Sequence, residues 1–129
     1  MLVPDPNQPA VAAKFREWLI AGEECHAPAV MPAEVLNVLA RQVWDSVITA
    51  AEAAASWTDF AALGIVVDSF DLTVDGPRSL EIAQALHRRH ATDCTYVSLA
   101  ERVGADVWTL DGGFARAAHA AGLRVRLVV

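Results

Sequence analysis

The chain has 129 residues, which suits one compact domain spanning 1–129 and is too short for two ordinary ones. With 54% hydrophobic and 20% charged residues it can bury a substantial core, which excludes disordered, collagen-like and disulfide-scaffold classes. The net charge of −6 excludes a generally basic nucleic-acid coat, but not a nucleic-acid enzyme, because a metal ion can mediate between acidic side chains and phosphate.

The cationic side is almost all arginine, Lys14 being the only lysine. Cys25 and Cys94 stand alone, without CxxC or zinc spacing, and no secretory leader opens the chain; both features fit a reducing cytoplasm. Apolar runs such as Gly64–Val67 fall far below the ~20 residues of a membrane span. A soluble cytoplasmic protein is expected.

Pro4-Asp5-Pro6-Asn7-Gln8-Pro9 reads as a turn or loop, since each proline removes a donor and restricts its predecessor. From Ala10 to Ile20, Val11, Phe15, Trp18 and Leu19 recur at helical spacing, with Gly22 as the stop. Cys25 to Val30 reads as a short buried strand. A helix with Pro32 in its first turn follows, placing Val35, Leu36, Val38, Leu39 and Val43 on one face. An alanine-rich helix runs from Thr49 to Leu63, ended by Gly64.

Ile65–Phe70 reads as a strand and Asp75-Gly76-Pro77 as a turn. Ser79 or its neighbours open a helix with Leu80, Ile82, Ala83 and Leu86 inward. Thr92 is the expected N-cap of the next helix, which carries Tyr96, Val97, Ala100 and Val103 and stops at Gly104. Val107–Leu110 is a strand, Asp111-Gly112-Gly113 a turn into a helix stopped by Gly122, and Val125–Val128 a last strand. Short apolar strands alternating with amphipathic helices predict an α/β domain around a mainly parallel sheet.

Three carboxylates fall at special points. Glu34 lies in the first turn of a helix after a strand, Asp93 follows Thr92 at a helix start, and Asp111 sits where a strand turns into a helix. A helix N-terminus favours negative charge, and strand-to-helix turns of open α/β sheets gather at the ligand-binding edge. If the three converge, a hard divalent cation such as Mg²⁺ or Mn²⁺ relieves their repulsion and gives a centre for phosphodiester hydrolysis. Ordinary helix capping accounts for each acid taken singly.

The segments His26-Ala27-Pro28, Ala33-Glu34-Val35-Leu36-Asn37-Val38-Leu39, Ala91-Thr92-Asp93-Cys94-Thr95-Tyr96-Val97-Ser98-Leu99-Ala100 and Trp108-Thr109-Leu110-Asp111-Gly112-Gly113-Phe114 resemble consecutive motifs of the PIN-domain family, in its VapC-like toxin branch. The resemblance runs from about residue 10 to the C-terminus. It implies a three-layer α/β domain, with a mainly parallel central sheet flanked by helices. It also implies a metal-dependent endoribonuclease, with RNA as substrate, a cognate antitoxin as partner and a homodimer as assembly. Carried over by position, Glu34, Asp93 and Asp111 are its Mg²⁺ or Mn²⁺ ligands, and Thr92 orients the cluster.

The family ordinarily opens on an apolar strand ending in aspartate; here that strand is short or missing. Either Asp5 is that first aspartate, or Leu2–Asn7 is the loop after the first helix, the register favoured by its prolines. Losing a central strand leaves two unpaired edges, which Met1–Asp5, a partner strand or further upstream sequence would have to fill. The alternative function is therefore a catalytically impaired PIN-like scaffold that binds nucleic acid or protein.

Arg88 and Arg89, within His87-Arg88-Arg89-His90, are candidate RNA contacts, or cations complementing a helix C-terminus. His87 and His90 are weaker candidates as metal ligands, and Arg116 has either the same cleft or a solvent-facing helix surface. Trp18 and Trp108 read as core, Trp44 and Trp57 as an association surface, Tyr96 as packing, and Asp68 and Asp71 as solvent-facing or turn residues.

Overall fold

A computed structural model describes residues 9–128. In chain order the elements are α1 (Pro9–Ala21), β1 (His26–Pro28), α2 (Met31–Trp44), α3 (Ala50–Ala61), β2 (Val66–Asp68), α4 (Asp75–Ala85), α5 (Thr92–Val103), β3 (Val107–Thr109), α6 (Gly112–Ala120) and β4 (Val125–Leu127). The α/β alternation matches the expected fold class, with short parallel strands layered between helices. No described helix is long and apolar enough to cross a membrane.

The strand pairs are parallel, His26–Pro28 against Val66–Asp68 and Val107–Thr109 against Val125–Leu127. Among the described residues they remain two separate two-stranded sheets, with no pairing between β1 and β3. Helix α5 joins the halves, packing on both β1 and β3 as well as on α4. Val107 is in the main core with Tyr96, Val97 and Ala100 of α5, while the next residue, Trp108, meets Phe15 and Trp18 of α1. Alternate strand residues point to opposite faces, so α5 and α1 cover the sheet layer from the two sides. Phe15 touches Leu63 and Ile65 of one half and Trp108, Leu110 and Val128 of the other through a single apolar cluster.

Several local readings change. Asp75-Gly76-Pro77 is the first turn of α4 rather than a free turn, because proline is tolerated where the helix N–H has no partner. Ser79 is buried inside that helix and Leu80, expected inward, is 59% exposed. The α2 stripe is buried mainly at Met31 and Leu39; Leu36 and Val38 face outward, since no described element covers that side. Helix α3 buries no residue, and its start is fixed by a capping box in which Thr49 and Glu52 exchange side-chain and backbone bonds of 3.1 Å. Thr92 is the first residue of α5 and not its cap; Ala91 holds that place without a side-chain bond.

Candidate functional site

Glu34 enters from the first turn of α2, immediately after β1, where Pro32 starts the helix. Its Oε1 accepts the Tyr96 hydroxyl at 2.6 Å. Tyr96 is buried on α5; that burial, together with Glu34, drives its phenol pKa far above the ordinary value. Asp93 occupies the first turn of the same helix. Asp111 caps α6, its Oδ1 accepting the Phe114 N–H at 3.0 Å, while its own N–H donates to Thr109 Oγ1 at 3.0 Å. The sequence placed all three at strand-to-helix or loop-to-helix junctions, and the fold turns those junctions toward one another. Glu34, Asp93 and Asp111 line one cleft of about 280 Å³, walled by Tyr96, Trp108 and Phe114.

The cleft receives three helix N-termini, whose partial positive charge suits anionic side chains. Its donor set is all oxygen, the kind a hard divalent cation takes. One oxygen each of Glu34 and Asp111 is already held by a neighbour. Among the described residues no three Asp, Glu, His or Cys side chains form a group that could hold a metal. The three acids thus fit such an ion by chemistry, without making a closed cage.

Arg88 stands at the rim: its Nη2 is 3.9 Å from Asp111 Oδ2, and its guanidinium lies 4.9 Å from the centre of the Phe114 ring. The run His87–His90 follows the C-cap Leu86 and is therefore a loop rather than a helix end. Arg89, His87 and His90 are exposed and do not line the cleft. Arg116 folds back along α6: a Cβ at Gly112 would lie 3.1 Å from its Nη1, so the glycine leaves room for the guanidinium. Thr92 is exposed, and its carbonyl accepts the Thr95 hydroxyl at 2.6 Å. Asp5 lies outside the described residues.

Two acids have roles that the sequence reading missed. Asp68 is not simply solvent-facing: its Oδ2 meets His26 Nδ1 at 2.7 Å, joining β2 to β1 through side chains. Asp75 is 2% exposed and accepts from Arg102 (2.8 and 2.9 Å), Ser98 Oγ (2.7 Å) and the Asp71 N–H (2.9 Å). Its side-chain partners Ser98 and Arg102 lie 23 and 27 residues downstream, at no fixed spacing that a motif would reveal. The Ser98–Arg102 step, which puts both on one face of α5 opposite Asp75, is the single available hint.

No curated protein matches the sequence. The family model described as "PIN domain" matches residues 8–120, most of the chain and every element from α1 to α6. Domains of this kind are nuclease-type, bind nucleic acid and generally use divalent metal ions. The acids brought together from α2, α5 and α6 lie within the matched span, and the chain belongs to the PIN-domain family.

Proposed function

We propose that the protein is a metal-dependent endoribonuclease of the VapC toxin type, cutting RNA phosphodiester bonds at the cleft of Glu34, Asp93 and Asp111. The observation that carries this reading is that three acids from three separate elements of a PIN-family chain line one cavity. Those acids would hold Mg²⁺ or Mn²⁺, which when bound supplies Lewis acidity toward the phosphodiester and lowers the pKa of the attacking water. Tyr96 orients Glu34 through its hydroxyl, Asp111 is fixed by its capping bond, and Arg88 offers paired donors to a phosphate at the rim. Thr92, at the start of α5, sets the position of Asp93, and Arg89 supplies a more distant cation for the RNA backbone.

An antitoxin and a second copy are the partners that this reading carries. The apolar surface along α2 and just beyond it supports association, with Leu36 50%, Trp44 87% and Val47 69% exposed. Free Cys25 and Cys94 suit action in a reducing cytoplasm. The test is cleavage of a defined single-stranded RNA with Mn²⁺ by the unaltered chain and by Asp93→Asn. Cleavage lost in the variant supports the proposal; equal background in both retires it.

The second reading, a PIN-like scaffold that binds nucleic acid or protein without turnover, is favoured by the engagement of one oxygen each of Glu34 and Asp111 with protein partners. It expects RNA retention by the unaltered chain with no cleavage at any Mn²⁺ concentration.

A further inference from the structure

Asp111 turns its two carboxylate oxygens to different neighbours. Oδ1 accepts the Phe114 N–H at 3.0 Å and is committed to starting α6. Oδ2 faces Arg88, whose Nη2 stands 3.9 Å away. The oxygen left over for a divalent ion is therefore the one that a guanidinium already faces. Arg116 does not duplicate this contact: its guanidinium folds back beside Gly112, and among the described residues it forms no ion pair with Asp111.

Arg88 is held at that place from both ends. Its main chain closes α4 in a Schellman arrangement, the Arg88 N–H bonding the Ala83 carbonyl at 2.8 Å and the His87 N–H that of Gln84 at 3.2 Å. His87 has a φ of 52° there, the left-handed conformation that Gly22, Gly64, Gly104 and Gly122 take elsewhere in the chain. The turn that aims Arg88 thus keeps a side chain where glycine is the easier choice. At its other end, the guanidinium lies over the ring of the buried Phe114, 4.9 Å from its centre.

We propose that Arg88 is a built-in competitor for the cation of the acidic cleft, pairing with Asp111 so that a divalent ion must displace it in order to bind. Arg88 then sets the ion concentration at which the cleft fills. The inference rests on the reading of Glu34, Asp93 and Asp111 as metal ligands. Two cations at one carboxylate oxygen repel each other, so the guanidinium and the ion exclude one another there. The size of the effect follows from exposure, 29% for the Arg88 side chain and 54% for that of Asp111. An ion pair so placed shifts an equilibrium by at most about fivefold, and by less in high salt.

The experiment measures Mn²⁺ affinity of the whole chain by calorimetry at low ionic strength, for the unaltered protein, Arg88→Gln, Arg89→Gln and Asp93→Asn. Arg88→Gln is expected to bind Mn²⁺ about threefold tighter, while Arg89→Gln, which removes the same charge one residue away, stays within about 1.5-fold of the unaltered chain. In the unaltered chain, saturating Mg²⁺ should shift the Arg88 Nε–Hε resonance, a readout that needs no variant. Equal tightening by both glutamine variants, no tightening by Arg88→Gln, or an unmoved Arg88 resonance would overturn the proposal. Binding that is present in the unaltered chain and lost in Asp93→Asn keeps the acids as ligands even if Arg88 proves inert. Absence of Mn²⁺ binding in both the unaltered chain and Arg88→Gln overturns the ligand reading and this proposal together.

Discussion

Tyr96 and Glu34, 62 residues apart, share the shortest side-chain bond of the acidic cleft, 2.6 Å from the phenol of α5 to the carboxylate of α2. Tyr96→Phe keeps the ring and removes this bond alone. It is expected to lower unfolding free energy by about 1 kcal/mol, the usual net value of an intramolecular hydrogen bond, measured by urea denaturation.

Asp75 is the most heavily bonded buried charge described. Asp75→Ala leaves the Arg102 guanidinium and Ser98 hydroxyl without their acceptor, and a loss of about 3 kcal/mol is expected in the same measurement. Burial pushes the Asp75 carboxyl up, but Arg102, the Asp71 N–H and Ser98 outweigh it and hold its pKa below the usual carboxylate range. A depressed folded value means that the stabilisation is present above the unfolded value of about 3.9 and is lost as pH falls through the lower folded value. Acid unfolding of Asp75→Asn should lack that component.

His26 works in the opposite direction. Its bond to Asp68 raises its pKa above the ordinary value, partial burial opposing this and Glu24 reinforcing it. The stabilisation is therefore complete below the unfolded value of about 6.5 and is lost as pH rises through the higher folded value. Denaturation midpoints compared from pH 6 to 9 should fall for the unaltered chain and stay flatter for Asp68→Asn.

Asp111 combines a helix cap with a place in the cleft, and two substitutions separate the roles. Asn caps as well as Asp does, so Asp111→Asn should leave the melting temperature nearly unchanged while removing RNA cleavage. Asp111→Ala should lose cleavage and also about 1 kcal/mol of stability. If Asp111→Asn cleaves RNA at the original rate, the residue is a cap and nothing more.

Thr49→Ala should remove the capping box and cost about 1 kcal/mol, seen first as faster exchange of α3 amides. Burial gives α3 little other support, since none of its residues is buried.

Elements whose apolar spacing was regular were legible in the sequence. Phe15 anchors α1, Ile82 and Ala83 point inward from α4, and glycines 22, 64 and 104 follow helix ends with positive φ, as the stop signals indicated. The junctional acids were legible too, because Glu34, Asp93 and Asp111 each sit beside a recognisable helix start. What escaped was decided by partners distant in sequence. The Asp75 cluster and the His26–Asp68 pair depend on which strand and helix lie side by side, and the exposure of Leu36 depends on no described element covering that side of α2. Local propensity also misplaced the α4 start, where Gly76-Pro77 suits a free turn and a first helical turn equally well.

The two sheets have one further consequence for the acidic cleft. Glu34 rides with β1 and α2, Asp111 with β3 and α6, and among the described residues no ladder ties those halves. Among the described residues the jaws are tied by side-chain packing on α1 and α5 and by the Tyr96–Glu34 bond. A substitution that thins the packing at Phe15 or Tyr96 would therefore be felt at both Glu34 and Asp111, as a changed aperture toward a phosphate chain.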